Sequence, residues 1–172
     1  MKDIERLSAI EGIRQTKAHY ELAVLASDWE RYAALFTEEC VWDERGAFIA
    51  RDPVTGEWDP TGCEVSYEVL EELEDRRAPW PRFGRASILE TLTAKPAPAL
   101  YHEMFNPQID VVDADHATAV WPFKDIIHFS QGAPISRVHG WGHYHEKYVR
   151  EDGRWLISEL RLTRRFLYAY AP

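Results

Sequence analysis

Asp125 lies in the stretch AVWPFKDIIHF, residues 119–129, directly after Lys124. The rest of that stretch is what a buried β-strand needs, so a carboxylate there must be paired or put to use. Side chains alternate along a strand. The odd residues Trp121, Phe123, Asp125, Ile127 and Phe129 make a face that is apolar except for Asp125, whereas Val120, Pro122, Lys124, Ile126 and His128 make a mixed one. With the apolar face inward, Asp125 is surrounded by aromatics and Lys124 faces out. Pro122 could mark a bulge or an edge and reverse that parity. The C-terminal run RWLISELRLTRRFLYAY repeats the pattern: Leu156, Ser158, Leu160, Leu162, Arg164 and Phe166 share one parity, interrupted by Arg164. A buried arginine and a buried aspartate are costly apart and tolerable together. Two uses stay open: an ion pair that fixes the sheet, or a pocket whose low polarity tunes both groups for proton transfer.

Two further residues belong with them. His102 begins a strand, on the face that carries Met104 and Asn106, and Tyr20 sits on the inner stripe of the first helix. Tyrosine, histidine and aspartate together can do acid–base chemistry without a metal. His139, His143 and His145 in HGWGHYH share a parity, and such spacing can ligate a metal. No acidic ligand follows at a recognisable spacing, so surface or sheet-packing histidines are the favoured reading. No metal and no cofactor is expected.

The elements that must position these residues follow from periodicity. Residues 3–25 form a helix, with a stripe Ile4, Leu7, Ile10, Ile13 continuing to Tyr20 and Val24. SDWERYAALF is a second, short helix capped by Ser27 or Asp28, and CVWDE a short strand. Gly46, Pro53, Gly56, Pro60 and Gly62 mark 44–62 as a loop. Residues 64–77 and 85–94 read as helices, separated by PWPRFG. Four strands follow: LYHEMFNPQIDVVD, HATAVWPFKDIIHF, RVHGWGHYHEKYVR and RWLISELRLTRRFLYAY, with tight turns at Asp113–Asp115 and EDG. Helices first and an antiparallel meander last predict an α+β domain, with helices covering one face of a curved sheet.

Composition narrows the function. At 172 residues one domain is expected, and 45% hydrophobic residues suffice for a core. A formal charge of −9 without a basic run argues against nucleic acid. EVLEELEDRR reads as a solvated helix face. Cys40 and Cys63 make no disulfide framework, and no apolar run approaches a membrane span. MKDIERLSAIEG is amphipathic rather than a signal peptide, so a cytoplasmic protein is expected.

The segments HYELAVLASDWERYAALFTEECVWD, RASILETL, HEMFNPQIDVVDADHATAVW and GHYHEKYVREDGRWLISEL resemble the SnoaL-like branch of the nuclear-transport-factor-2-like superfamily. The resemblance spans nearly all of the chain outside 44–83. It implies a single domain over 1–172, built as a cone-shaped α+β barrel, with 44–83 as an inserted lid, an ornament or an oligomer contact. Relatives include scytalone dehydratase, bile-acid dehydratase, polyketide cyclases, steroid isomerases and noncatalytic binding domains. The enzymes share a deep apolar pocket in which a few polar groups move protons without a cofactor. Against the bile-acid dehydratase, the helix-1 tyrosine falls on Tyr20, the strand aspartate on Asp125, the late arginine on Arg164 and the catalytic histidine near His102. The acid expected five residues past the tyrosine is Leu25 here, so either Asp125 orients the histidine or the chemistry differs.

The resemblance implies a cofactor-independent lyase acting on a hydrophobic aromatic or polycyclic molecule, with dehydration favoured. His102 would abstract a proton, Asp125 orient it, Tyr20 hold the leaving oxygen and Arg164 stabilise negative charge. Trp121, Phe123, Tyr144 and, from the insertion, Tyr67 and Arg82 are candidates for substrate contact. Lys124 joins them if Pro122 resets the register, and with Arg82 it would suit a C–C lyase (deformylating lignin-derived diaryl compounds). An isomerase or cyclase and a noncatalytic binder are the other readings. The apolar character of Val120, Ile126 and His128 suggests a homo-oligomer, a trimer before a dimer.

Overall fold

The computed structural model describes residues 1–49, 54–57, 63–75, 80–94 and 99–172. Helix α1 (Asp3–Ala26) is the long first element, ended by Ser27 in the left-handed region. Its buried residues are Ala9, Ile13, Thr16, Lys17, Tyr20, Ala23 and Val24. Ile4 and Leu7, expected on the inner stripe, are 71% and 62% exposed, and the buried face of α1 begins at Ala9. Asp28 caps α2 (Trp29–Ala33) by accepting the Arg31 N–H. Helices α3 (Tyr67–Asp75) and α4 (Arg85–Thr93) match the two later helical readings. Residues 76–77 of the expected helix, and Pro53, Pro60 and Gly62 of the expected loop, lie outside the described residues.

The strands are β1 (Phe36–Asp43), β2 (Arg82–Phe83), β3 (Ala99–Met104), β4 (Gln108–Val111), β5 (His116–His128), β6 (Arg137–Glu151) and β7 (Arg154–Tyr170). They make one sheet in the order β2-β1-β7-β6-β5-β3, with β4 also on β5. The sheet is curved but unclosed, so the expected barrel is a half-open one. All pairs are antiparallel except β1 with β7. The stretch expected as one strand from Leu100 to Asp113 is two, broken at Phe105–Pro107. Pro122 lies opposite that break. Its carbonyl accepts the Phe105 N–H, and a residue's N–H and C=O point the same way across an antiparallel ladder. The donor that proline lacks therefore faces the gap, and β5 keeps its register with β6 from His116 to His128.

Strand β7 departs more from simple alternation. Its register on β6 shifts twice, between Lys147 and Tyr148 and between Trp141 and Gly142. These bulges leave Ser158 and Arg165 without ladder partners and reverse the inward parity each time. Ile157 faces the core before the first; Leu160 and Leu162 are inward after it; Leu167 and Ala169 after the second. The single row expected from Leu156 to Phe166 is therefore corrected at both ends: Ser158 sits in a bulge and Phe166 is 47% exposed.

The core lies between α1, α2, α4 and the concave side of the sheet, around Ile13, Phe36, Ile88, Ile157 and Leu160. Helix α1 crosses the sheet closely at Gly12, where an added Cβ would come within 2.7 Å of the Trp155 ring. One turn on, Thr16 Oγ1 donates to the Trp155 carbonyl at 2.7 Å.

Candidate active site

A cleft opens between α1, α2 and the concave face, enclosing about 770 Å³ of atom-free space that is partly open to solvent. Aromatic and aliphatic side chains form most of the wall, including Tyr20, Trp29, Tyr32, Trp42, Phe48 and Tyr144. Among the described residues, the charged or titratable groups on it are Glu44, His102, Asp125 and Arg164, besides the tyrosines.

Strands β3, β5, β6 and β7 bring the polar groups together. His102 and Asp125 are register partners across β3 and β5, and Asp125 in turn faces Gly140 on β6. A Cβ on Gly140 would fall 2.5 Å from Asp125 Oδ1 and nearer still to the Arg164 guanidinium. Glycine at 140 is what lets Arg164 reach from β7 across β6. Arg164 Nη1 and Nη2 donate to the two Asp125 oxygens, each at 2.7 Å, and Nε donates to the Ala47 carbonyl at 2.9 Å. Both side chains are buried, so this is a fork-to-fork ion pair in a dry site. Burial pushes down on the Arg164 guanidinium, but the Asp125 carboxylate outweighs it and holds the group above its ordinary range.

His102 Nε2 lies 3.8 Å from Asp125 Oδ2 and 3.4 Å from the Tyr144 hydroxyl. Its other nitrogen, Nδ1, is buried and has no hydrogen-bond partner among the described residues. That orphan fits the departure at Leu25, which is 46% exposed at the end of α1 and supplies no acid. Burial lowers the His102 imidazole to about 4, Lys17 and Arg164 add to the effect, and Asp125 alone opposes it. At neutral pH His102 is an uncharged base. Tyr20 and Tyr144 are pushed well above the usual phenol range, first by burial, so both act as neutral hydrogen-bond donors. Tyr32 donates to the Tyr20 hydroxyl at 3.2 Å.

The cleft thus gathers Tyr20, His102, Asp125, Arg164 and Tyr144. The other expected contact residues do not line it. Trp121 is buried deeper and donates to the Tyr148 hydroxyl. Phe123 stacks on Tyr144 from behind, with centroids 4.4 Å apart. Lys124 is on the convex face, 3.5 Å from Glu103, because Pro122 leaves the register unbroken. Tyr67 starts α3 and Arg82 belongs to β2, neither reaching the wall. Sequence reasoning missed Tyr32, which α2 brings to the wall, and Glu44 and Trp42, whose place depends on β1 running parallel to β7. It also missed Lys17. This lysine is fully buried, 2.5 Å from Glu146, with its ammonium 3.7 Å from the Tyr20 ring centre and 4.4 Å from that of Tyr144. The signal was present: Lys17 falls one turn before Tyr20 on the buried side of α1.

No group of three or more potential metal ligands occurs among the described residues. His145 Nε2 instead lies 3.0 Å from Thr163 Oγ1. No described helix is long and apolar enough to cross a membrane.

No curated protein matches the sequence. The fold is that of several solved structures. A type 2 hexachlorocyclohexane dehydrochlorinase (LinA) superposes with a TM-score of 0.70 at 16% identity, covering 99% of this chain and 94% of that one. A candidate scytalone dehydratase from Novosphingobium aromaticivorans gives 0.70 at 18%, covering 99% and 93%. A Mycobacterium tuberculosis protein of unknown function, Rv3472, gives 0.66 at 20%, covering 95% and 76%. At these identities the likeness speaks for the fold. The sequence itself matches the SnoaL-like domain model over residues 5–161, and the chain belongs to that family.

Proposed function

We propose that this protein is a cofactor-independent lyase that eliminates water from a hydrophobic aromatic or polycyclic small molecule. The observation that carries the reading is a neutral, buried histidine on the wall of an aromatic cleft, flanked by a carboxylate and a phenol. His102 takes a proton from a carbon made acidic by a neighbouring carbonyl. Asp125 stabilises the imidazolium as it forms, and Arg164 keeps Asp125 aimed through its two hydrogen bonds. Tyr20 and Tyr144 donate to the oxygens that gain negative charge, and the protonated His102 returns its proton to the departing hydroxyl. Ring faces of Trp29, Trp42 and Phe48 suit a flat substrate. The dehydrochlorinase and dehydratase named above carry out eliminations by name, which supports the same reaction class here. Lys124 and Arg82 are not among the described residues of the wall, which favours dehydration over a cationic C–C lyase site.

The test is a panel of aromatic and fused-ring β-hydroxy ketones, followed by mass spectrometry for the loss of one water. Turnover should survive chelation and fall by about a hundredfold or more in His102→Gln. Conversion that is equally fast in His102→Gln would remove His102 from the chemistry and overturn this mechanism, and tight binding of the panel with no conversion would replace the reading with a noncatalytic binder. We further propose a homo-oligomer built on the convex face, where Tyr101 and Phe166 are half exposed. Sedimentation should show a trimer, and a monomer at micromolar concentration refutes it.

A further inference from the structure

Helix α3 reaches the site through Glu74. Its Oε1 accepts the Gly46 N–H at 2.8 Å and its Oε2 accepts the Phe48 N–H at 3.0 Å. Ala47 stands between those two amides, and its carbonyl accepts the Arg164 Nε–H. One carboxylate thus grips both sides of the residue that completes the hydrogen bonding of Arg164, whose other two donors hold Asp125. The segment is shaped for this grip: Gly46 has φ +78°, a conformation that favours glycine. Ala47 and Phe48 also line the cleft, and the Phe48 ring lies 6.0 Å from that of Phe129 across it.

We propose that Glu74 is a positioning residue of the active site: it latches the wall segment Gly46–Phe48 so that the Ala47 carbonyl fixes the third edge of Arg164 and Arg164 holds Asp125 toward His102. Helix α3 is then a working part of the site rather than an ornament, joined to it by the chain Glu74, Ala47, Arg164, Asp125, His102. A local staple would act only on the loop; a latch must be felt at the guanidinium. The inference concerns how the site is held and stands apart from the reaction assigned to it.

The experiment is hydrogen exchange by nitrogen-15 NMR on the full chain, which needs no substrate, so failure of the latch and failure of the lyase reading are told apart. In Glu74→Ala, exchange at the Gly46 and Phe48 amides and at the Arg164 Nε–H should each accelerate by about tenfold or more, while amides of Phe123 to Ile127 stay as in the wild type. Glu74→Gln keeps one acceptor oxygen and should fall between the two. An Arg164 Nε–H that exchanges at the wild-type rate in Glu74→Ala overturns the proposal, whether or not the loop amides are freed. If Glu74→Ala does not fold, Glu74→Gln decides alone: a faster Arg164 Nε–H supports the latch and an unchanged one overturns it.

Discussion

His102 gives the site its own pH dependence. Its folded value is about 4 against an ordinary 6.5, so between those values the unfolded chain binds a proton that the folded one refuses. The stability this group contributes is fully present above about pH 6.5 and is lost as pH falls toward 4. Urea unfolding of wild type at about pH 7 and about pH 4.5 should show a loss roughly 2 to 3 kcal/mol larger than in His102→Gln. Equal losses in the two proteins would mean that the imidazole titrates normally and is not in a dry site. Asp125 makes the complementary case. Asp125→Asn leaves Arg164 charged in a site with 2% exposure of its side chain, and breaking such a pair costs about 3 to 5 kcal/mol. Turnover should fall by about a hundredfold as well, because the same carboxylate supports the imidazolium. Asp125→Asn combined with Arg164→Gln should cost less stability than Asp125→Asn alone and recover no activity. A cost below about 1 kcal/mol for Asp125→Asn would show that the pair is held in water.

Among the elements, β5 was legible in the sequence and β7 was not, for one reason. Alternation names the inward face only while the register runs unbroken. Strand β5 is continuous against β6, so Asp125 and Lys124 sort to opposite faces as their parity says. Strand β7 carries two bulges, and nothing in RWLISELRLTRRFLYAY announces them; the apolar residues on both sides of Ser158 and Arg165 fit either phase. The α+β class and the long α1 followed from strong periods, whereas the parallel pairing of β1 with β7, and with it Glu44 and Trp42, rests on contacts far apart in sequence. Gly140 is the element-scale feature that the site depends on. Gly140→Ala keeps the strand but puts a methyl carbon where the Arg164 and Asp125 head groups meet. Overpacking of this kind costs about 1 to 3 kcal/mol, and displacing the pair should also move the titration midpoint of His102. NMR titration of the imidazole in Gly140→Ala checks this, and an unchanged midpoint with wild-type stability would mean that the pair has another path across β6.

At the scale of the whole molecule the helix layer must sit at a fixed depth on the sheet, or the cleft between them has no definite shape. Three contacts along one face of α1 set that depth: Gly12 against Trp155, Thr16 on the Trp155 carbonyl, and Lys17 on Glu146. The third is ionic and fully buried. Glu146 also accepts the Tyr148 hydroxyl, which Trp121 supports in turn, so the pair is embedded in a hydrogen-bonded network of β5 and β6. Burial lowers the Lys17 ammonium, and Glu146 is the main group opposing that. Lys17→Met fills nearly the same volume but strands the Glu146 carboxylate, so it should cost about 3 to 5 kcal/mol in urea unfolding. Lys17→Met with Glu146→Gln removes both charges while leaving Tyr148 an acceptor, and should cost less than the single change. The double variant also tests how far the network reaches into the site. Lys17 is one of the groups that lower His102, so with the ammonium gone the imidazole should titrate above about 4 even though no residue on the cleft wall has been altered. A midpoint that stays at the wild-type value in a well-folded double variant would confine Lys17 to holding the helix on the sheet; a midpoint that rises makes the same ion pair both the anchor of α1 and a source of the field in which His102 works.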